Sequence, residues 1–138
     1  FRARIEKRFG KLKRQQPPFV YLGIRHQFLT PSHLFLDQEE YLMKLKPIPV
    51  DANRAKNDSN SLDNTEHFAF RSLLCSILWL ALTRLDLLAE IIQLQQNMVT
   101  PLMVHLKAVN ALLKRAIKNK HLNGLHFKKL PFAYLSRF

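Results

Sequence analysis

A single cysteine, Cys75, is all that the 138 residues hold, so neither an intramolecular disulfide framework nor a cysteine-rich zinc module can form. An intracellular chain is the simpler reading. Glycine is as scarce: Gly10, Gly23 and Gly124 stand alone, which excludes a glycine-rich phosphate loop. The apolar stretch between Arg71 and Arg84 is twelve residues without a charge, and no uncharged run reaches the roughly 20 that cross a bilayer. No membrane partner is expected. Acidic residues number only ten and no two Asp are adjacent, so the clustered carboxylates of a two-metal polymerase or nuclease are missing. The group Asp37, Glu39, Glu40 reads as the N-terminus of a helix. Six histidines (His26, His33, His67, His105, His121, His126) show no i, i+4 pair and no zinc-module spacing with Cys75. Cys75 itself lies in the apolar stretch from Leu73 to Leu82 and reads as a small buried hydrophobe. The chain alone is expected to have no catalytic residue, no metal and no cofactor.

What is present is enough for one domain or a piece of one, with 47% apolar and 23% charged residues. The start, Phe1 to Arg14, lacks the apolar stretch of a secretory signal and carries no initiator Met, so an internal fragment of something longer is expected. Charge is the strongest departure: 22 Lys plus Arg leave a net +12. It is unevenly placed. Residues 1–14 carry seven basic groups and one acid, residues 105–138 eight and none, and the middle is slightly acidic. Two cationic ends favour a polyanion, because each phosphate neutralised releases condensed counterions. Nucleic acid is the leading candidate, against the plainer reading of a solvated basic surface.

Along the chain, Phe19 to Arg25 follows Pro17-Pro18 and is rich in aromatic and β-branched residues, which predicts one strand with a bulge or a close backbone approach at Gly23. Thr30-Pro31-Ser32 is a turn signal and His33 to Leu36 a second strand, so residues 19–36 read as a hairpin. Asp37 then caps a short helix, Gln38 to Leu45. Residues 46–66 read as a loop. From His67, apolar residues at helical spacing (Phe70, Leu73, Leu74, Ile77, Leu78, Ala81) predict a mostly buried helix, followed by another over 86–97. Thr100-Pro101 reads as the start of a third, to about Lys118. On it Leu102, Leu106, Val109, Leu113 and Ile117 share a core arc, while Lys107, Lys114 and Lys118 form a separate cationic stripe. Leu125 to Lys128 reads as the start of a strand. The fold class is α+β and helix-dominated: an N-terminal β-hairpin followed by a bundle of three longer helices.

Two blocks carry a family resemblance. The first is Phe9-Gly10, Tyr21-Leu22-Gly23-Ile24, then Leu36-Asp37-Gln38-Glu39-Glu40-Tyr41-Leu42. The second runs from Phe70-Arg71-Ser72-Leu73-Leu74-Cys75-Ser76 through Trp79-Leu80-Ala81 to Thr83-Arg84-Leu85-Asp86-Leu87, with His105-Leu106-Lys107-Ala108 and Gly124-Leu125-His126-Phe127 after it. Together they resemble the later part of the reverse transcriptase region of copia-like retrotransposon Pol polyproteins. Cys75 stands where that family has Gly, and Leu85 where it has Pro. The resemblance implies the end of the palm, the thumb and the connection towards ribonuclease H, without the Tyr-x-Asp-Asp strand. It divides the chain into a palm-end hairpin and short helix (1–50), a flexible loop (51–66), a thumb- and connection-like helical region (67–130) and a tail (131–138).

The parent would be an RNA-directed DNA polymerase using Mg²⁺; the partners implied are an RNA–DNA hybrid or duplex and the absent palm and ribonuclease H regions. The expected nucleic-acid contacts are Lys107, Lys114, Arg115, Lys118 and Lys120, with Tyr21 and Gly23 of the hairpin, where backbone could approach a phosphate. The alternatives are a freestanding basic helical nucleic-acid-binding protein and a decayed element with no activity.

Overall fold

The computed structural model describes residues 2–11, 15–120 and 124–129. A short cationic helix, α1 (Arg2–Phe9), comes first and was not signalled by apolar spacing. It ends at Gly10, whose φ of +84° suits the left-handed residue after a helix and whose N–H donates to the Glu6 carbonyl. Three strands follow in place of the expected two: β1 (Phe19–Tyr21), β2 (Ile24–Thr30) and β3 (His33–Asp37). The stretch read as a single strand is folded back on itself at Leu22-Gly23, with Tyr21 paired to Ile24. Both turn residues have positive φ, +51° and +76°, the geometry that two-residue hairpins favour. Gly23 therefore serves the turn and is not a bulge.

Three antiparallel pairings build the sheet, in the order β1-β2-β3-β4, where β4 (Leu125–Lys128) returns from the far end of the chain to pair with β3. The register puts Phe19, Tyr21, Ile24, His26, Phe28, Leu34, Leu36, Leu125 and Phe127 on one face, and Arg25, Gln27, His33, Phe35, Asp37, His126 and Lys128 on the other. An apolar face and a mixed one result. The expected hairpin is thus three-quarters of a four-stranded sheet whose last strand lies beyond the helices.

Asp37 ends β3 and accepts a bond from the Glu39 backbone N–H at 3.1 Å, opening α2 (Glu39–Lys44). The segment after it runs beside the last long helix, α5 (Met103–Lys118), and is tied to it repeatedly. The Asn110 amide bridges both the N–H and the carbonyl of Ile48, each at 2.8 Å. Further on, a single 3₁₀ turn (Arg54–Lys56) precedes the helix α3 (Asn64–Leu80). That helix begins three residues before the apolar spacing suggests, because Asp63 and Glu66 form a reciprocal capping box, each side chain accepting from the other's backbone N–H. A 3₁₀ turn (Leu85–Leu87) leads into α4 (Leu88–Gln95), shorter than the helix expected over 86–97.

The start of α5 is displaced in the opposite sense. Thr100-Pro101 does not cap it; instead the first N–H groups of the helix, on Met103 and Val104, donate to the carbonyls of Asn60 and Asp58, at 2.8 and 3.1 Å. His105 reaches back, its Nδ1 accepting from the Leu102 N–H at 2.9 Å. A distant loop supplies what a capping side chain normally would.

The core lies among α3, α4 and α5. Phe70, Leu74, Ile77, Leu80, Leu87, Ile91, Leu106, Val109 and Leu113 are fully buried there, joined by Leu42 of α2. Cys75 departs from expectation: it is exposed, on the side of α3 turned away from this core. At 100° per residue it lies about 150° from the centre of the arc formed by Phe70, Leu73, Leu74 and Ile77, on the opposite side of the helix. Among the described residues no helix is long and apolar enough to cross a membrane.

Candidate nucleic-acid interface

The sheet meets the helices at a junction built from residues far apart in the chain. Gln38 is buried at the β3–α2 boundary; with its amide oriented to satisfy all neighbours, its nitrogen donates to Thr83 Oγ1 at 2.8 Å and to the Leu80 carbonyl at 3.2 Å. Its oxygen accepts from Trp79 Nε1 at 3.2 Å. The Tyr41 hydroxyl donates to the Ser76 carbonyl, and the open side of Gly23 rests against the rings of Tyr41 and Trp79. One turn on, the Arg84 guanidinium is 1% exposed, bonded twice to Asp86 at 2.7 and 2.8 Å and once to the Ala116 carbonyl at 3.2 Å. Bidentate pairing of this kind lets an arginine be buried without an unpaired charge. The bond from Arg84 holds the Asp86 carboxyl below its usual pKa, against the opposing effect of its partial burial.

Around this junction, most carboxylates are already spoken for. Arg25 bonds Asp37 at 2.8 Å, and this raises the guanidinium pKa; Arg54 chelates Glu66 at 2.8 and 2.6 Å, which lowers the pKa of Glu66. The expected cationic stripe divides under the same test. Lys107 is committed internally, its Nζ 2.6 Å from Asp58 and 2.5 Å from the Ala55 carbonyl, holding the strap that caps α5. Arg115 pairs with Glu90 of α4, and Lys120 lies 3.4 Å from Glu39. Lys114 and Lys118 are exposed and have no carboxylate partner among the described residues.

Family models, curated proteins and solved structures give no match to this chain.

The hairpin sites are placed differently from one another. Tyr21 is 62% exposed at the tip of β1, whereas Gly23 faces Tyr41 and Trp79. A second group of free cations escaped the sequence reading. Phe68, 76% exposed, stands between two shallow depressions of about 510 and 380 Å³ on the outer side of α3. Arg71 lines the first; Lys44 and Lys46 line the second. None of the three has a carboxylate partner among the described residues. The signal available was Phe68 itself, an aromatic residue two positions before Phe70 and so off the buried arc. No cluster of three or more metal-ligating side chains occurs among the described residues.

Proposed function

We propose that the chain is the end-of-palm, thumb and connection portion of a copia-like retrotransposon reverse transcriptase, and that it grips a primer–template duplex through its backbone phosphates. The observation that carries this reading is the junction. Residues from both resembling blocks, Gly23, Gln38 and Tyr41 from the first and Thr83 from the second, meet there with Trp79 in one packed, hydrogen-bonded group. Motif residues that converge in space have a shared reason to occur together, namely fixing a hairpin at a set angle to a helical unit. That is the task of an element joining palm to thumb.

Lys114 and Lys118 are the phosphate contacts in this reading, with Tyr21 at the hairpin tip; Lys107 acts by holding the strap. Contacts of this type read shape and charge and accept every sequence, as a polymerase must. The absent palm would cover the apolar face of the sheet, where Tyr21, Phe28 and Phe127 are each more than half exposed.

The test is a salt titration of binding to an RNA–DNA hybrid, to duplex DNA and to heparin. A preference for the hybrid, with Lys114→Ala plus Lys118→Ala lowering the salt slope by about 2, supports the grip. Equal affinity for all three reduces the chain to a general polyanion binder, and an unchanged slope removes the two lysines from the interface.

A further inference from the structure

On the mixed face of the sheet, two histidines far apart in sequence touch. His33 Nε2 lies 2.9 Å from His126 Nδ1, with the ring centroids 5.1 Å apart and the planes inclined by 48°. The register explains the meeting: His33 pairs with Lys128 and Phe35 with His126, so the two imidazoles are diagonal neighbours on one face of the β3–β4 ladder. Phe35 packs against His126, its ring 4.7 Å away, and steadies that imidazole from one side. Both histidine side chains reach solvent.

We propose that His33 and His126 form a two-imidazole site for a borderline divalent transition-metal cation, of the Cu²⁺, Ni²⁺ and Zn²⁺ class, that clips β4 to β3. Two nitrogens bound about 2.0–2.1 Å from one ion are separated by about 3.0 Å at a right angle and about 3.4 Å at a tetrahedral one. The observed 2.9 Å is close to the right-angle chord. Imidazole nitrogen is a preferred donor for these metals and a poor one for Mg²⁺ or Ca²⁺. In the metal-free pair one nitrogen donates its proton to the other; binding moves that proton to the other nitrogen of the same ring, leaving two lone pairs for the ion. Water completes the coordination, since no third side-chain ligand stands nearby among the described residues.

Two further features bear on affinity. The His33 pKa is lowered, by partial desolvation first and then by the charges of His126 and Lys128, which favours the neutral ring that a metal requires. Lys128, directly across from His33, carries a positive charge that opposes a cation. Among the described residues the other histidines are already engaged: His67 bonds the Met98 carbonyl, His105 the Leu102 N–H and His26 the Ile24 carbonyl.

The experiment is titration of the full chain with Cu²⁺, and separately with Ni²⁺ and Zn²⁺, by calorimetry and by imidazole NMR resonances. Saturation at one equivalent, with the His33 and His126 signals perturbed first, is expected. Loss of an outer-shell partner already weakens metal sites about 10- to 100-fold, so His33→Ala or His126→Ala, each losing a direct ligand, should weaken binding by at least about ten-fold. His26→Ala should leave it unchanged, and Lys128→Gln, which removes the opposing charge and no ligand, should tighten it. Binding also raises the melting temperature of the parent and not of the two ligand variants. The proposal is overturned if the parent binds no ion, or if the double variant His33→Ala, His126→Ala binds as the parent does with an unchanged circular dichroism spectrum.

Discussion

Among the described residues, every buried apolar side chain except Leu42 lies between Phe70 and Ala116, and none belongs to a strand. The sheet, by contrast, has Asp37 as its only fully buried residue and carries Tyr21, Phe28, Leu29 and Phe127 roughly half exposed or more. Its ladder satisfies the backbone, yet a sheet needs a packed face to be stable by itself. The helices supply their own core; the sheet depends on the Gln38–Thr83–Trp79 junction and on β4. One chain therefore holds two regions of unequal independence, and the weaker one carries the hairpin proposed to join palm to thumb.

The contrast is most directly broken by truncating one aromatic residue in each region. Phe70→Ala empties a fully buried site and should cost about 3–5 kcal/mol, whereas Phe127→Ala, on a side chain 52% exposed, should cost less than about 1 kcal/mol. Urea denaturation of the two variants decides it, and similar losses would mean that the sheet is as well packed as the helices. Next in size is Gly124→Ala. A Cβ there would lie 2.2 Å from Phe35 Cε2, on a backbone with φ of +109°. Such strain is of order 1–3 kcal/mol, and it should free β4 while α5 stays intact. Hydrogen exchange is the readout, with the amides of His33 to Leu36 losing protection and those of α5 keeping it.

Thr83→Val severs the junction without emptying space. Leaving the Gln38 amide short of a partner should cost about 1–3 kcal/mol, and sheet and helices should then unfold at separate midpoints. A single unchanged transition would show that the two regions are coupled by other contacts. The smallest effect is that of acid. Glu66 has its pKa lowered by Arg54, so the folded chain favours the carboxylate: this stabilisation is complete above the ordinary value of 4.5 and is lost as the pH falls below it. Arg54→Gln should flatten that acid limb in melting curves taken between about pH 6 and 3.

The same inequality governs what could be read from the sequence. Phe70, Leu73, Leu74 and Ile77 announce a helix because burial on one side imposes its own period, and these residues are indeed buried. Leu22-Gly23 concealed a hairpin, since leucine is not a residue that favours positive φ and the apolar run around it is continuous. Thr100-Pro101 pointed to a helix start that the carbonyls of Asp58 and Asn60 supply instead, three residues on. Lys107 looked like a member of a free stripe because its partner, Asp58, is 49 residues away. The pairing of His33 with His126 was hidden for the same reason. Local periods are written in adjacent letters; cross-chain partners are not.

The placement of β4 also sets an order of events during folding. Its partners on β3 are about 90 residues distant, so that loop cannot close cheaply in an unfolded chain. The helices between them shorten the path, and their contacts, mostly between neighbours in sequence, can form early. The sheet is then completed last, by a strand delivered to it once the helical unit exists, and a chain emerging from the ribosome would carry β1 to β3 with an open edge until residues 125–128 appear.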